Sequence, residues 1–230
     1  MTLPKPINMN VERYAGGLSK FEKIENPIKL SANESALGAS PQAIKAFENE
    51  KDKIFKYPES DSSSLRDAIS KKFNINANRI ICGAGSDQIF DLTCKLFLEK
   101  NDEVIVSEFG FIMHRIYASL YGAKILLARE KNFTASVEEI LKLVTAKTKI
   151  VFIANPNNPT GTYLKKKEML NLRKKLRSDI LLVVDDAYFE FMNKSDFTSG
   201  LDLFKDSPNV LITRTFSKIY GLAGLRVGWG

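Results

Sequence analysis

The chain has 230 residues, 44% of them hydrophobic and 27% charged, which fits a globular protein of one large domain or one domain and part of another. Its net charge of +7 comes from lysines and arginines spread along the chain, and the densest runs, at 165–167 and 173–175, fit the solvated face of a surface helix. The sequence therefore favours neither nucleic acid nor a membrane as a partner. No apolar run approaches a membrane span and the first residues lack a signal-peptide core, so the expected location is cytoplasmic.

The cysteines and the histidine argue against a disulfide framework and against a metal site. Cys82 and Cys94 lie in apolar surroundings, at a spacing that supports neither a disulfide framework nor a metal site, so we expect two reduced core residues. His114 is the only histidine, which argues against a multi-histidine metal site. The sequence predicts no metal.

The predicted elements change in character near residue 79. Before it, the first 35 or so residues are irregular, and helices are predicted at 40–49, where Ser40 and Pro41 form an N-cap and first-turn pair, and at 62–73. After it, short β-rich runs alternate with amphipathic helices. Strands are predicted at 80–82, 104–106, 124–127, 149–153, 180–184, 210–213 and 225–230, and helices at 86–99, 112–120, 136–144 and 165–176.

This alternation predicts an α/β fold of three layers, α-β-α, around a mostly parallel seven-stranded sheet. Ligands bind beyond the carboxyl ends of the strands in such sheets, so the residues that follow each strand are the candidates for a site. The small residues at 83–87 come after the first strand and precede a helix, where backbone N–H groups can receive a phosphate. A tight turn is the plainer explanation of the same residues.

The next strand ends carry an aromatic residue, an amide and a carboxylate. Phe111 follows the second strand and could stack on a planar ring, although a core position explains it equally well. The loop at 155–161 has two prolines and three asparagines, of which Asn157 could donate to a phenolate oxygen. Asp185 follows a buried strand, where a carboxylate is costly unless it is paired, and a pyridinium nitrogen is a suitable partner. A helix N-cap is the alternative for Asp185 or for its neighbour Asp186.

The last of these strand ends carries a lysine. Lys218 follows the strand at 210–213 and stands close to Thr215, Ser217 and a glycine-spaced Arg226. An amine in this position can form a Schiff base with pyridoxal phosphate, while the hydroxyls and the guanidinium bind the phosphate. The alternative is a polar turn with a solvated lysine. Together, however, the four strand ends offer the amine, carboxylate, amide and phosphate cradle that this one cofactor requires.

These motifs resemble the fold-type I pyridoxal-phosphate aminotransferases, and among them the branch that acts on histidinol phosphate. The resemblance covers nearly the whole chain, through segments 30–35, 56–58, 83–87, 107–111, 155–161, 185–188 and 214–226. It implies that residues 51–230 form the cofactor-binding large domain, and that residues 1–50 form an N-terminal arm and part of a small domain. Because the chain stops within its last predicted strand, we expect the large domain to be incomplete.

The resemblance also implies a role for each candidate residue. Lys218 would bind the cofactor covalently and move the proton, with Asp185 at the pyridine nitrogen and Phe111 on the ring. Asn157 and Tyr188 would bind the phenolic oxygen, and the phosphate would be held by Gly85, Ser86, Asp87, Thr215, Ser217 and Arg226. Tyr57 would reach the phosphate of a neighbouring subunit, which implies a homodimer with shared active sites. Tyr14 and Asn33 would line the substrate side.

The implied reaction is a reversible transamination between small molecules: glutamate gives its amino group to imidazole-acetol phosphate, which yields 2-oxoglutarate and histidinol phosphate, a phosphorylated amino alcohol. Three alternatives stay open. A sister aminotransferase for aromatic or other amino acids uses the same cofactor residues, and so does a pyridoxal-phosphate decarboxylase of phosphorylated amino acids. The third alternative is an inactive fragment that binds a partner.

Overall fold

The computed structural model describes residues 11–14, 16–17 and 28–230, and its centre is a seven-stranded sheet. The strands are β1 (Cys82–Gly83), β2 (Glu103–Ser107), β3 (Lys124–Ala128), β4 (Thr148–Ala154), β5 (Leu181–Asp185), β6 (Val210–Thr215) and β7 (Gly228–Trp229). Their order across the sheet is β1-β7-β6-β5-β4-β2-β3. The neighbours from β6 to β3 pair in parallel, whereas β7 runs antiparallel to both β6 and β1. The predicted mostly parallel sheet is confirmed.

Seven α-helices accompany the sheet within the described residues. They are α1 (Pro41–Glu50), α2 (Ser63–Phe73), α3 (Gly85–Phe97), α4 (Ile112–Leu120), α5 (Val137–Lys142), α6 (Lys166–Lys175) and α7 (Gly200–Phe204). Apolar residues of α3 and α4 pack on one face of the sheet, which we call the front face. Residues of α2, α5, α6 and α7 pack on the other, the back face. Helices on both faces bury a parallel sheet completely and complete the predicted α-β-α layers.

Side chains of each strand alternate between these two faces. In β5, Val183 belongs to the front core, while Leu182 and Val184 belong to the back core. Asp185, the last residue of β5, therefore faces the front. The same alternation continues to the next residue, so that Asp186 faces the back. This alternation decides which of two adjacent aspartates reaches the site.

Two parts of the prediction were wrong in detail. The strand expected at 225–230 is reduced to β7, because a 3₁₀ helix (Ala223–Leu225) precedes it and Arg226 takes a left-handed conformation with φ of 52°. The short helix α7 was missed. The N-cap serine could have revealed it, because Ser199 Oγ accepts a hydrogen bond from the Asp202 N–H at 3.2 Å and donates to its carboxylate at 2.8 Å.

The N-cap predicted for the first helix is confirmed. Ser40 Oγ accepts from the Ala43 N–H at 3.2 Å and so caps α1. Cys82 and Cys94 are free thiols, and burial raises the pKa of Cys94 to about 12. Among the described residues, no helix has the length and apolar character needed to cross a membrane.

Candidate active site

The carboxyl ends of β4, β5 and β6 border a cavity of about 370 Å³ next to the first turn of α3. This is the edge of the sheet at which a parallel α/β fold binds ligands. The structure brings most of the predicted site residues into the wall of this one cavity: Tyr14, Asn33, Ser86, Asp87, Phe111, Asp185, Tyr188, Thr215, Ser217, Lys218 and Arg226. Residues from both ends of the described chain thus meet in one place.

The amine of Lys218 points into the cavity and is held by the N-terminal segment. Its Nζ donates to the backbone carbonyl of Asn33 at 3.2 Å and lies 5.4 Å from the ring centroid of Tyr188. The Asn33 side chain in turn donates to the Tyr188 hydroxyl at 3.0 Å. Lysine, tyrosine and asparagine therefore form one connected group, although 185 positions separate Asn33 from Lys218.

Asp185 presents a buried carboxylate, 4% exposed, to the same cavity. Its Oδ1 accepts from the Ala187 N–H at 3.2 Å and from the Thr213 hydroxyl at 3.1 Å. Its Oδ2 lies 3.5 Å from Nε2 of His114. The carboxylate is thus fixed on three sides.

His114 is a site residue that the sequence reasoning missed. It is 2% exposed, its ring stacks on Phe152 at 4.8 Å, and Phe90 and Phe111 meet it edge-on at 4.7 and 5.6 Å. Within the described part of the chain, its Nε2 has no hydrogen-bond partner. Its position, three residues beyond Phe111 at the start of α4, is the one signal in the sequence that could have placed it beside the site.

Asp186 faces away from the cavity, as the alternation of β5 requires. It is fully buried, and its carboxylate accepts from the Gly200 and Leu201 N–H groups at the start of α7, at 3.1 and 3.4 Å. Burial raises its pKa to about 7, against the opposing attraction of the Arg214 guanidinium. Of the two aspartates, Asp186 therefore makes the helix-terminus contacts, and Asp185 is the one available to a ligand.

The opposite end of the cavity is suited to an anion. Helix α3 begins at Gly85, whose φ of 75° is left-handed, and its N-terminus directs backbone N–H groups toward the cavity. Arg226 Nη1 donates to Ser217 Oγ at 3.1 Å, and Nη2 lies 3.5 Å from Asp87. A Cβ on Gly85 would come within 2.5 Å of Arg226 Nη2, so any other residue would push the guanidinium from this position. Burial raises the pKa of Asp87, opposed by Arg226.

Three predicted residues are not in the wall of this cavity: Gly85, which directly precedes the lining residue Ser86, and Asn157 and Tyr57. Asn157 is buried, and its amide donates to the Phe109 carbonyl at 3.1 Å and to Thr160 Oγ1 at 2.9 Å, so both of its N–H groups have acceptors within the protein. It lines a smaller neighbouring pocket, while Asn158 lines the main one. Tyr57 is fully exposed and is not brought to the site of its own chain.

The fold and the position of the cavity match those of the large domain of the fold-type I pyridoxal-phosphate transferases. More narrowly, the chain belongs to the aminotransferase class I and II family, whose sequence model matches residues 25–230. The predicted family is confirmed.

Individual relatives and solved structures agree with this assignment. A histidinol-phosphate aminotransferase of Pelagibacter ubique is 59% identical over 230 residues, which are all of this chain and 64% of that protein. One of Paramagnetospirillum magneticum is 46% identical, with coverage of 98% of this chain and 62% of the relative. The crystal structure of the Sinorhizobium meliloti enzyme with pyridoxal 5'-phosphate superposes with a TM-score of 0.82 at 28% identity, over 86% of this chain and 54% of that one. The chain thus spans less than two thirds of the length of these relatives.

Proposed function

We propose that this chain belongs to a pyridoxal-phosphate-dependent histidinol-phosphate aminotransferase of L-histidine biosynthesis. The active enzyme would have the length of the relatives, of which this chain spans less than two thirds. It exchanges an amino group between glutamate and imidazole-acetol phosphate. The observation that carries the proposal is the single cavity in which Lys218, Asp185 and the anion site around Arg226 meet. The names of the most similar relatives support the choice of substrate. The cytoplasmic location and the domain division at residue 50 stay predictions.

The residues of the cavity fit pyridoxal phosphate. The close approach of Arg226 to Gly85 and the N-terminus of α3 suit its phosphate. The buried carboxylate of Asp185 and the half-buried amine of Lys218 stand where a ring nitrogen and an aldehyde need partners. When bound, pyridoxal phosphate supplies a carbonyl that links covalently to amines and a ring that withdraws electrons from the attached substrate.

Lys218 then has two duties. With pyridoxal phosphate bound, Nζ would be the amine that links to the cofactor carbonyl, and the same amine would serve as the base that moves the proton of the substrate Cα. The Asn33 carbonyl, which accepts from Nζ at 3.2 Å, orients the amine at the cavity wall. Tyr188, whose ring lies 5.4 Å from this amine and whose hydroxyl accepts from Asn33, would bind the phenolic oxygen of the cofactor. Tyr14, also in the wall, stands on the substrate side.

Asp185 is the residue that would pair with the ring nitrogen of the cofactor and keep it protonated. Its carboxylate is prevented from turning by the bonds from Thr213 and Ala187, and His114 lies against its second oxygen. Phe111, which packs edge-on against His114, forms the wall on which the ring stacks. A negative charge fixed here before the reaction costs no reorganisation as electrons move toward the ring.

The phosphate cradle gives a prediction with a matched control. Replacing Gly85 by alanine places a methyl group 2.5 Å from Arg226 Nη2 and strains a φ of 75°, so we expect the affinity for pyridoxal phosphate to fall by about tenfold or more. Gly161→Ala is the control, because Gly161 has a similar φ of 71° but nothing within 4 Å of the added atom. Cofactor titrations should separate the two variants. Equal affinities would contradict the assigned cradle.

We also propose a homodimer in which Tyr57 reaches the phosphate site of the second subunit. Tyr57 is fully exposed, and its neighbours Ile54 and Phe55 are 85% and 79% exposed, an apolar segment that favours burial against a partner. Tyr57→Ala and Lys218→Met proteins should each be impaired. Mixed after unfolding and refolding, they should regain activity, because a mixed dimer contains one site with both native residues. A mixture that stays inactive would contradict sharing of the site.

Substrate profiling tests the activity itself. With pyridoxal phosphate present, we expect transfer from histidinol phosphate to 2-oxoglutarate with a higher kcat/KM than from aromatic amino acids. Preference for an aromatic amino acid would favour a sister aminotransferase. Release of carbon dioxide from a phosphorylated amino acid would favour a decarboxylase.

A further inference from the structure

Arg214 lies on the back face of the sheet, directly behind the candidate active site. In β6 it stands between Thr213, which donates to Asp185, and Thr215, which lines the cavity. Its own side chain is turned to the other face and is almost completely buried, with Nη2 3.5 Å from Oδ2 of Asp186. The ion pair therefore joins the ends of β5 and β6 behind the residues that face the cavity.

Three aromatic rings fix the guanidinium in place. The Arg214 Cζ lies 3.7 Å from the ring centroid of Phe189, 4.7 Å from that of Phe73 and 5.7 Å from that of Trp229. These rings come from the 3₁₀ helix after β5, from α2 and from β7. Because a planar cation stacked on a ring and paired with one carboxylate has little freedom, Arg214 sets the relative position of several elements at once.

The pair does not serve stability well. Within the described residues, Arg214 Nε and Nη1 have no hydrogen-bond partner, and burial raises the pKa of Asp186. Apolar groups of similar volume often replace a buried ion pair without loss of stability, because desolvation offsets the attraction. The pair is therefore better explained by the way it fixes the ends of β5 and β6 relative to each other.

That geometry bears directly on the site. The Asp186 N–H donates to the Thr213 carbonyl at 2.9 Å, so the back-face pair and the front-face bond between Thr213 and Asp185 involve the same two chain segments. A shift of β5 against β6 would move the Asp185 carboxylate away from His114 and change its position relative to Lys218, which follows β6. The ion pair opposes such a shift from behind.

We propose that Arg214, through Asp186, is a positioning residue for amino-group transfer, one that holds Asp185 in register with the Lys218 segment. The inference rests on the proposed function, and it concerns a residue that touches neither the cavity nor a ligand. It predicts that loss of the cation impairs the reaction more than it impairs the fold.

The decisive variant is Arg214→Met. Methionine fills the space among the three rings, and Asp186 can take up a proton while it keeps its bonds from Gly200 and Leu201, so we expect a lower melting temperature but a retained fold. We expect kcat to fall about 10- to 100-fold with little change in KM, because a misplaced Asp185 weakens catalysis but not substrate binding. Arg214→Lys, which keeps the charge, should recover part of the loss.

His114 provides a readout that needs no activity. It is the only histidine of the 230 residues, and its Nε2 lies 3.5 Å from Asp185. In ¹⁵N-histidine-labelled protein without cofactor, the ring signals, assigned with a His114→Gln sample, should shift in Arg214→Met. Glu103→Gln is the control: this buried carboxylate of β2 is bonded to Thr145 away from the site, so the variant should lower the melting temperature and leave the His114 signals and kcat unchanged.

The outcomes separate the two claims. Parent-like kcat and parent-like His114 signals in Arg214→Met would overturn the positioning role. A parent protein that binds no pyridoxal phosphate at Lys218 would instead overturn the proposed function, and the His114 signals would then decide the positioning of Asp185 alone.

Discussion

Replacing Lys218 by methionine is expected to abolish turnover, with amino-group transfer reduced by about 10⁴-fold or more. Nζ is the amine in the cavity wall held by the Asn33 carbonyl, and methionine supplies neither a nucleophile nor a base. The variant should also lose the visible absorption of the lysine-bound cofactor, yet keep affinity for its phosphate, because the cradle around Arg226 is unchanged. Steady-state kinetics and absorption spectra measure both effects.

Lys167→Met is the matched control for this variant. Lys167 is an exposed residue of α6 that does not line the cavity, and its loss should leave kcat, the spectrum and the cofactor affinity unchanged. Appreciable transamination by Lys218→Met would show that another base moves the proton.

Replacing Asp185 by asparagine is expected to lower kcat by about 10²- to 10³-fold, with the fold retained. Asparagine is isosteric and can still accept from Thr213 and Ala187, but it carries no charge to keep the ring nitrogen protonated. Rates of proton removal from Cα-deuterated and undeuterated substrate would locate the defect in that step.

Asp91→Asn controls for the loss of a carboxylate. Asp91 lies on α3 and accepts from the Tyr121 hydroxyl at 2.9 Å, away from the cavity wall, so its amide variant should keep the parent rate. An Asp185→Asn protein with the parent rate would exclude Asp185 as the partner of the ring nitrogen and direct attention to Asp186.

The fold could be predicted because its causes are local. The buried runs that became β2, β4 and β5 and the amphipathic stretches that became α3, α4 and α6 carry their periods in short windows of sequence. The strand ends then selected Lys218 and Asp185 as candidates, and the structure brings both into the wall of one cavity.

Other features depend on contacts that no short window contains. Both faces of β5 are buried, so its residues are apolar without alternation, and the sequence could not tell which of Asp185 and Asp186 faces the site. The contact between His114 and Asp185 joins α4 to β5, and the bonds of Asn157 to Phe109 join two loops. Arg226 sits in a run that looks like a strand, and only its contacts with Ser217 and Asp87 explain its left-handed backbone.

The central claim is that Lys218 binds pyridoxal phosphate covalently. It is tested most directly by adding the cofactor, reducing with borohydride, digesting the protein and locating the label by mass spectrometry. One pyridoxyl group per chain is expected, on the peptide that contains Lys218. A label on a different lysine, or no label at all, would contradict it.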